Sequence, residues 1–507
     1  MVLPDWLDPL HDAESMRTAD AEAIEERGIP SLQLMEAAGE ALAEAVREVA
    51  EPGPVRVVCG KGNNGGDGLV AARLLAGTGF EVETLLLWPA GELSGDAAAN
   101  HSRLSEPARE VGPDQIAEAL AGSGCVVDAI FGTGFDGAPR SPASEAIEAM
   151  NECGAPVVAA DIASGVDGST GEVEGVAANA ALTVSFHAAK LGHRVAPGKR
   201  STGELTVADI GIPADSGAEA PAGEITARVL GRLPSRGPDS TKFTSGQVVV
   251  AGGSRGLTGS VVLSASAAIR AGAGYATVAV PGKLEPIFEA KLTEVMSRGC
   301  ASADGSFAEG AAGEILEACE KAAALVLGPG IGRSEAALDV ARRVAAEAGL
   351  PLVLDADGLN AHAGALAALS SRPEATVITP HAGELGRLLG KGSDEIGAHR
   401  LACAREAAEE GGCVVVLKGD DTIVAAPGGP VAVNVVSAPA LATAGTGDVL
   451  AGTIGALLAR GLEPFEAACA GVWANTNAGV AAAERVGAAE SVIASDVIDA
   501  LPAGLRP

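Results

Sequence analysis

Twice this chain runs from a short apolar β pattern through a glycine-rich turn straight into an apolar helical pattern. The two stretches are VRVVCGKGNNGGDGLVAARLLAG over 55–77 and QVVVAGGSRGLTGSVVLSASAAIRAGAG over 247–274. No other feature restricts the fold as much, because neighbouring parallel strands need a long crossover, most often a helix. Each half is therefore expected to be an open α/β sheet covered by helices, with ligands at the carboxyl ends of the strands. More strands that end in polar turns support this. They are EVETLLLW (81–88), CVVDAIFGTGFDGAPR (125–140) and PVVAADIASGVDG (156–168), then ALVLGPGIG (324–332), PLVLDADGLN (351–360) and TVITPHAGELGRLL (376–389). Ahead of them, residues 15–50 carry a helical period that Gly28 and Pro30 break in two; the second helix places Leu34, Ala38, Leu42 and Val46 on one face. The stretch 209–246 is rich in Pro, Gly, Ser and Asp, which sets a domain boundary near residue 225. No clear repeat relates 1–225 to 226–507.

A length of 507 residues suits two large α/β domains as well as three of about 150. Hydrophobic residues make up 47% but aromatics only 2%, so the cores must be built from Ala, Val, Leu and Ile. No apolar run reaches the roughly 18 residues of a membrane span. The start, MVLPDWLDPLHDAE, is acidic and lacks the basic region of a signal peptide. Eight cysteines stand singly without CxxC pairs, as reduced thiols do. The expectation is a soluble cytoplasmic protein. A net charge of −31 excludes nucleic acid as a partner, since nothing concentrates Lys or Arg against phosphates. With only nine lysines, this charge also suits a surface adapted to high salt, where screening removes self-repulsion.

Four places carry residues suited to chemistry. In LATAGTGDVLAGTIGALLARG (441–461), Gly445, Gly447 and Gly452 bracket Asp448 at the start of a helical pattern. Such a turn aims free N–H groups and the positive end of a helix dipole at one point, which suits a phosphate. An aspartate beside it could take a proton from an attacking hydroxyl; the plainer alternative is an ordinary helix-start aspartate. In VVVLKGDDTIVAA (414–426), Lys418 stands at the turn between two strands, where a cation could meet a phosphate; neither motif is a P-loop. Asn64, Asp128 and Ser164 fall at carboxyl edges of three strands and could converge on one hard cation, although capping suffices for each alone. Asp161 ends a strand, Lys190 follows another, and His381 directly follows a third, where it is most simply a helix-start residue.

Together these motifs resemble a known family. SMRTADAEAIEERGIPSLQLMEAAG, GNNGGDG, DAIFGTGFDGA and DIASGVDG resemble the NAD(P)H-hydrate epimerases. GGSRGLTGS, LGPGIG, LDADGLN, TPHAGE, LKGDDT and GTGDVLAG resemble the ribokinase-like NAD(P)H-hydrate dehydratases. In this order, and over nearly the whole chain, they resemble the bifunctional NAD(P)H-hydrate repair family. The resemblance implies a Rossmann-like doubly wound epimerase domain (1–225) followed by a ribokinase-like α/β dehydratase domain (226–507). The first would interconvert the R and S hydrates of NADH and NADPH (NADHX and NADPHX). The second would dehydrate the S hydrate at the expense of ADP, or ATP, releasing AMP and phosphate.

Carried over by position, Asn63, Asn64, Gly65, Gly66 and Asp67, with Gly132, Thr133, Gly134, Phe135, Asp136, Gly137, Ala138 and Asp161, would hold the hydrate for epimerisation. Asn64, Asp128 and Ser164 would bind K+. Gly330, His381 and Asp448 would face the hydrate in the second domain. Lys418, Gly419, Asp420, Asp421, Thr422 and Gly447 would hold the nucleotide with Mg2+. Asp448, Asp161 and Lys190 would be catalytic, and the family implies a homo-oligomer. The chain departs from the family in three places. Ala163 replaces the proline of DIPSG; Glu36-Ala37-Ala38-Gly39 replaces ENAG; Ala440, Leu441 and Ala444 replace Gly, Met and Gly, so 440 and 444 need backbone angles open to alanine. A vitamin-precursor kinase fused to a non-catalytic binding domain is the rival reading. It would leave a stable phosphorylated alcohol instead of free phosphate and NAD(P)H.

Overall fold

The computed structural model describes residues 3–217 and 219–506. The chain forms two compact units: Pro9–Ala222, and the chain from Gly223 onward together with Pro4–Asp8.

The first unit is a seven-stranded parallel sheet. Its order is Arg109–Glu110, Val82–Leu86, Val55–Cys59, Cys125–Ala129, Val157–Ala160, Leu182–Phe186, Glu204–Ala208. The strand earliest in sequence, Val55–Cys59, is central, and strand order reverses between it and Cys125–Ala129, with Val58 opposite Asp128. This is the doubly wound arrangement, whose ligand crevice opens at the reversal. Every residue of Cys125–Ala129 and Val157–Ala160 is buried, as strands covered on both faces must be. Helix Ser31–Val49 buries Leu34, Ala38, Leu42 and Val46 against one face, as their spacing predicts; Ile116, Leu120, Ile147 and Met150 pack the other.

The GNNGGDG run differs from the loop expected of it. The helix begins at Asn63 with Gly62 as its cap, so Gly65, Gly66 and Gly68 lie inside it. These glycines serve close approach rather than a turn. A Cβ on Gly65 would stand 2.0 Å from the Gly60 carbonyl oxygen, and one on Gly68 would stand 2.6 Å from the Ala129 Cβ. Only a bare backbone lets the helix start sit this tightly on the strand ends.

The second unit is built on an eleven-stranded mixed sheet. Its order is Leu7–Leu10, Ala222–Ile225, Val431–Val433, Ile423–Ala425, Val414–Leu417, Thr376–Ile378, Leu352–Leu354, Ala324–Leu327, Gln247–Ala251, Tyr275–Pro281, Met296–Cys300. From Val414–Leu417 to Met296–Cys300 all neighbours are parallel; Val414–Leu417, Ile423–Ala425 and Val431–Val433 form an antiparallel meander. Helices Thr446–Ala459, Pro464–Val486, Thr258–Arg270 and Ala494–Gly504 carry a core of small residues (Ala267, Val449, Ala478, Ala482, Val497 and Leu501) in which aromatic side chains have no part. Among the described residues no helix is long and apolar enough to cross a membrane. All eight cysteines are free thiols.

Candidate functional site

In the first unit a cavity of about 640 Å³ opens at the strand reversal. Its lining includes Asn63, Asn64 and Asp67 from the helix start, and Gly132, Thr133, Gly134, Phe135 and Asp136 from the turn after Cys125–Ala129. Asp161, Asp20 and Trp88 also line it. Gly65 is buried against the strand end at Gly60, Gly66 against Met35 and Ala97 of two other helices, and Gly137 and Ala138 lie outside the lining, so none of these four faces the cavity.

Asp161 directly follows strand Val157–Ala160 and has a left-handed backbone (φ +64°), which turns its carboxylate into the cavity. Lys190 Nζ donates to its Oδ1 at 2.5 Å, to Ser185 Oγ at 2.9 Å and to the Phe186 carbonyl at 2.8 Å. Thr133 donates to Oδ2 twice, from N–H at 3.0 Å and from Oγ1 at 2.5 Å. Burial pushes the Asp161 carboxyl up, but the Lys190 charge and these hydrogen bonds outweigh it and bring its pKa down to about 2. Lys190 itself is 0% exposed and does not line the cavity. It lies behind Asp161, so it acts by positioning that carboxylate instead of touching a ligand. His193 completes the support: its Nδ1 accepts from Lys190 N–H at 3.0 Å, leaving Nε2–H to donate to the Asp161 carbonyl at 2.9 Å. Burial first, then the Lys190 charge, push its pKa down to about 3, which keeps it neutral.

Asn64, Asp128 and Ser164 meet at one point beside this cavity. Asp128 is fully buried; its Oδ1 accepts from Ser164 Oγ at 2.6 Å and its Oδ2 from Ser164 N–H at 2.8 Å. Asn64 Nδ2 donates to the Phe131 carbonyl at 2.9 Å, which leaves Oδ1 free to face Gly132. Burial raises the Asp128 pKa to about 6 although the Ser164 hydrogen bonds pull it down. The Asp128 carboxyl with the Asn64 amide and Ser164 hydroxyl oxygens is a set of hard donors whose chemistry fits K+.

In the second unit, helix Thr446–Ala459 starts from Gly445, whose φ of +94° suits glycine. Thr446 Oγ1 donates to the Leu441 and Thr443 carbonyls at 2.8 and 2.9 Å and fixes the turn. Lys418 Nζ hovers at this helix start, 3.5 Å from where a Gly447 Cβ would be. A cation at the positive end of a helix makes an anion site. Lys418 is held there by Asp355 Oδ1 (3.1 Å) and Glu384 Oε2 (3.7 Å). Burial disfavours its charge, yet those two carboxylates raise its pKa above the usual lysine value. Asp448 is half-buried; burial first, then the Asp355 charge, raise its pKa to about 7 against a hydrogen bond from Ser260 and the Lys418 charge.

A cavity of about 370 Å³ lies alongside, lined among others by Lys418, Gly419, Asp420, Thr422, Asn434, Thr446, Gly447 and Asn475. Asp421 departs from the expectation for it. It is 1% exposed and pairs with Arg400 (2.8 Å), beneath the turn instead of in the cavity, because a carboxylate buried there needs a guanidinium beside it. His381 caps helix Ala382–Leu389, its Nδ1 accepting from Gly383 and Glu384 N–H at 3.0 and 3.3 Å, and its side chain is exposed. The Gly330 carbonyl accepts from Ser254 Oγ at 2.9 Å, and neither Gly330 nor His381 lines the 370 Å³ cavity. Ala440 and Ala444 are not among the four described non-glycine residues with positive φ (Asp161, His187, Asp304, Ala356), so alanine sits there without strain. Asp355 and Glu384 escaped residue-level reasoning although LDADGLN and TPHAGE stood out as motifs. For Asp355 the available signal was the one used for Asp161, a carboxylate where a buried strand ends; Glu384 is the third residue of helix Ala382–Leu389 and carried no such signal.

Comparison with known proteins agrees with this layout. The NAD(P)H-hydrate dehydratase family matches residues 248–503, and the YjeF-related protein N-terminus family matches 31–192. A bifunctional NAD(P)H-hydrate repair enzyme Nnr of Salinibacter ruber is 39% identical, covering 97% of this chain and 95% of that protein. The chain belongs to the bifunctional NAD(P)H-hydrate repair enzyme family. The family member of Escherichia coli is 35% identical over 98% of this chain and 93% of its own length. Among solved structures, the ADP/ATP-dependent NAD(P)H-hydrate dehydratase of Bacillus subtilis, co-crystallised with ATP/Mg2+, is 28% identical with a TM-score of 0.46 and covers 55% of this chain and 96% of its own.

Proposed function

We propose that this chain repairs hydrated NADH and NADPH in the cytoplasm: the first unit interconverts the R and S hydrates, and the second dehydrates the S hydrate with ADP or ATP. The observation that carries the reading is the Lys418–Gly447–Asp448 corner: Lys418 and Gly447 line one nucleotide-sized cavity, and Asp448, a carboxyl of raised pKa outside that lining, is the next residue of the helix. The nucleotide's phosphates sit at the Gly447 end of the helix, against Lys418. Asp448 accepts the proton of the substrate hydroxyl as its oxygen bonds to the terminal phosphorus, and the bridging P–O bond breaks so that AMP leaves from ADP, or ADP from ATP. The phosphate group then leaves with that oxygen, the adjacent carbon loses a proton, and the ring double bond returns. Among the described residues no group of three or more His, Cys, Asp or Glu side chains is placed to hold a metal. Mg2+ would come with the nucleotide and would supply charge neutralisation at its phosphates.

In the first unit Asn64, Asp128 and Ser164 hold K+, which supplies a fixed positive charge beside the hydrate. Asn63, Asp67, Gly132–Asp136 and Asp161 surround the hydrated ring. The test is to mix protein, hydrated cofactor and ADP or ATP while following nicotinamide absorbance and free phosphate. Restored absorbance with stoichiometric phosphate is expected. A stable phosphorylated alcohol with no restored absorbance would point to a small-molecule kinase and overturn the reading.

A further inference from the structure

Two carboxyl groups in the cavity of the first unit have opposite surroundings. Asp161 is saturated: Oδ1 accepts from Lys190 Nζ (2.5 Å) and Phe186 N–H (3.4 Å), Oδ2 from Thr133 N–H (3.0 Å) and Oγ1 (2.5 Å). A carboxylate offers about four acceptor positions, and protein donors occupy all of them. To take up a proton Asp161 would have to abandon a lysine that is itself wholly buried, which is strongly disfavoured. It is a fixed negative charge.

Asp67 is the opposite case. It lies on helix Asn63–Gly77, faces the same cavity, is 8% exposed, and has no hydrogen-bond or ion-pair partner among the described residues. A carboxyl that lines a cavity and is bonded by no protein group is open to bond what enters that cavity. Burial first, then the charges of Asp161 and Asp20, push its pKa up and so favour a held proton, the opposite of the Asp161 case. Asp20 lines the cavity and is itself exposed, which gives protons an outlet to water.

We infer that Asp67 is the acid–base residue of epimerisation, giving a proton to the hydroxyl of the hydrated carbon and later taking one back. This rests on the repair function proposed above. The Asp67 O–H proton goes to the hydroxyl oxygen, the C–O bond breaks, and its electron pair leaves with the oxygen as water. The ring-nitrogen lone pair forms a C=N bond, so the ring becomes a cation that faces the fixed Asp161 carboxylate. Water then adds to the opposite face: its oxygen forms the new C–O bond, the C=N pair returns to nitrogen, and the surplus proton returns to Asp67. One carbon is inverted and nothing is oxidised or reduced.

The experiment uses the full-length chain and Asp67→Asn, with pure R hydrate in oxygen-18 water. Appearance of S hydrate, its isotope content, and dehydration of added S hydrate with ADP are measured. Because Asp67 bonds no protein group, the isosteric amide should fold normally, and unchanged dehydration and thermal unfolding check this. Epimerisation above background should fall by about 10²- to 10⁴-fold, and S hydrate formed by the parent protein should carry one oxygen-18. Epimerisation by Asp67→Asn within a few-fold of the parent would overturn the assignment. So would S hydrate formed without the isotope, which would mean that the C–O bond survives; this arm needs no variant. A parent protein that neither epimerises nor dehydrates would instead overturn the repair function itself.

Discussion

Asp448 and Asp128 show what burial does to a single carboxyl group. Asp448 has a pKa of about 7 because burial and the Asp355 charge both disfavour its ionised form. A base must be ionised, so dehydration at subsaturating substrate should rise with pH through about 7 and level off above it. Asp448→Asn should remove this rise and lower dehydration by about two to four powers of ten, roughly 3–5 kcal/mol of barrier. Nucleotide binding should survive by calorimetry, since the Gly447 N–H and Lys418 are untouched; a variant that dehydrates within a few-fold of the parent would assign the base elsewhere. Among the described residues no cation pairs with Asp128, and the proposed K+ would offset its burial. Asp128→Ala should weaken epimerisation and abolish any response to K+, with dehydration of the S hydrate unchanged. Equal K+ activation in parent and variant would remove the ion from that site.

At the scale of elements, the start of helix Asn63–Gly77 shows how backbone contact builds a site. Asn64 and Asp67 reach the cavity only because Gly65 lets the helix sit against Gly60, where a Cβ would meet a carbonyl oxygen at 2.0 Å. Gly65→Ala should therefore lower the stability of this unit by ~1–3 kcal/mol or more through overpacking, with epimerisation lost before dehydration on heating. An unfolding midpoint equal to that of the parent would show that the contact relaxes freely. Reading the GNNGGDG run as a loop was natural, since three glycines in four residues normally weaken a helix. Packing against a strand end that lies elsewhere in the sequence overrides that local preference.

For the whole molecule, strand membership and charge carry the expectations. A fragment 226–507 would keep the residues of the 370 Å³ cavity but lack Ala222–Ile225, which borders Val431–Val433 in the sheet, and Leu7–Leu10 beyond it. It should still dehydrate the S hydrate, unfold at a lower temperature and self-associate in light scattering, because an uncovered edge strand invites pairing. A folded but inactive fragment would show that the second site needs residues outside 226–507. A net charge of −31 predicts that the unfolding midpoint of the full chain rises from dilute to molar KCl, as the screening length contracts from about 10 Å at 0.1 M to about 3 Å at 1 M. A falling midpoint would refute the high-salt reading.

The period of apolar residues and the place of glycine are local properties, so the α/β class, the helix Ser31–Val49 and its buried face, and the GTGD helix start were determined by the sequence alone. Partnership between distant residues is not local. The sequence places Lys190 among the expected catalytic residues, yet the packing of strand Leu182–Phe186 against Val157–Ala160 buries it behind Asp161. Asp420 and Asp421 are neighbours in one motif, but the first lines a cavity while the second is sealed against Arg400. Asp355 from a strand end and Glu384 from the first turn of helix Ala382–Leu389 converge on Lys418, and Leu7–Leu10 joins a sheet whose other strands begin more than two hundred residues later. Which side chains meet depends on strand order and register, and these are settled by burial over the whole chain, so only the tertiary structure could decide them.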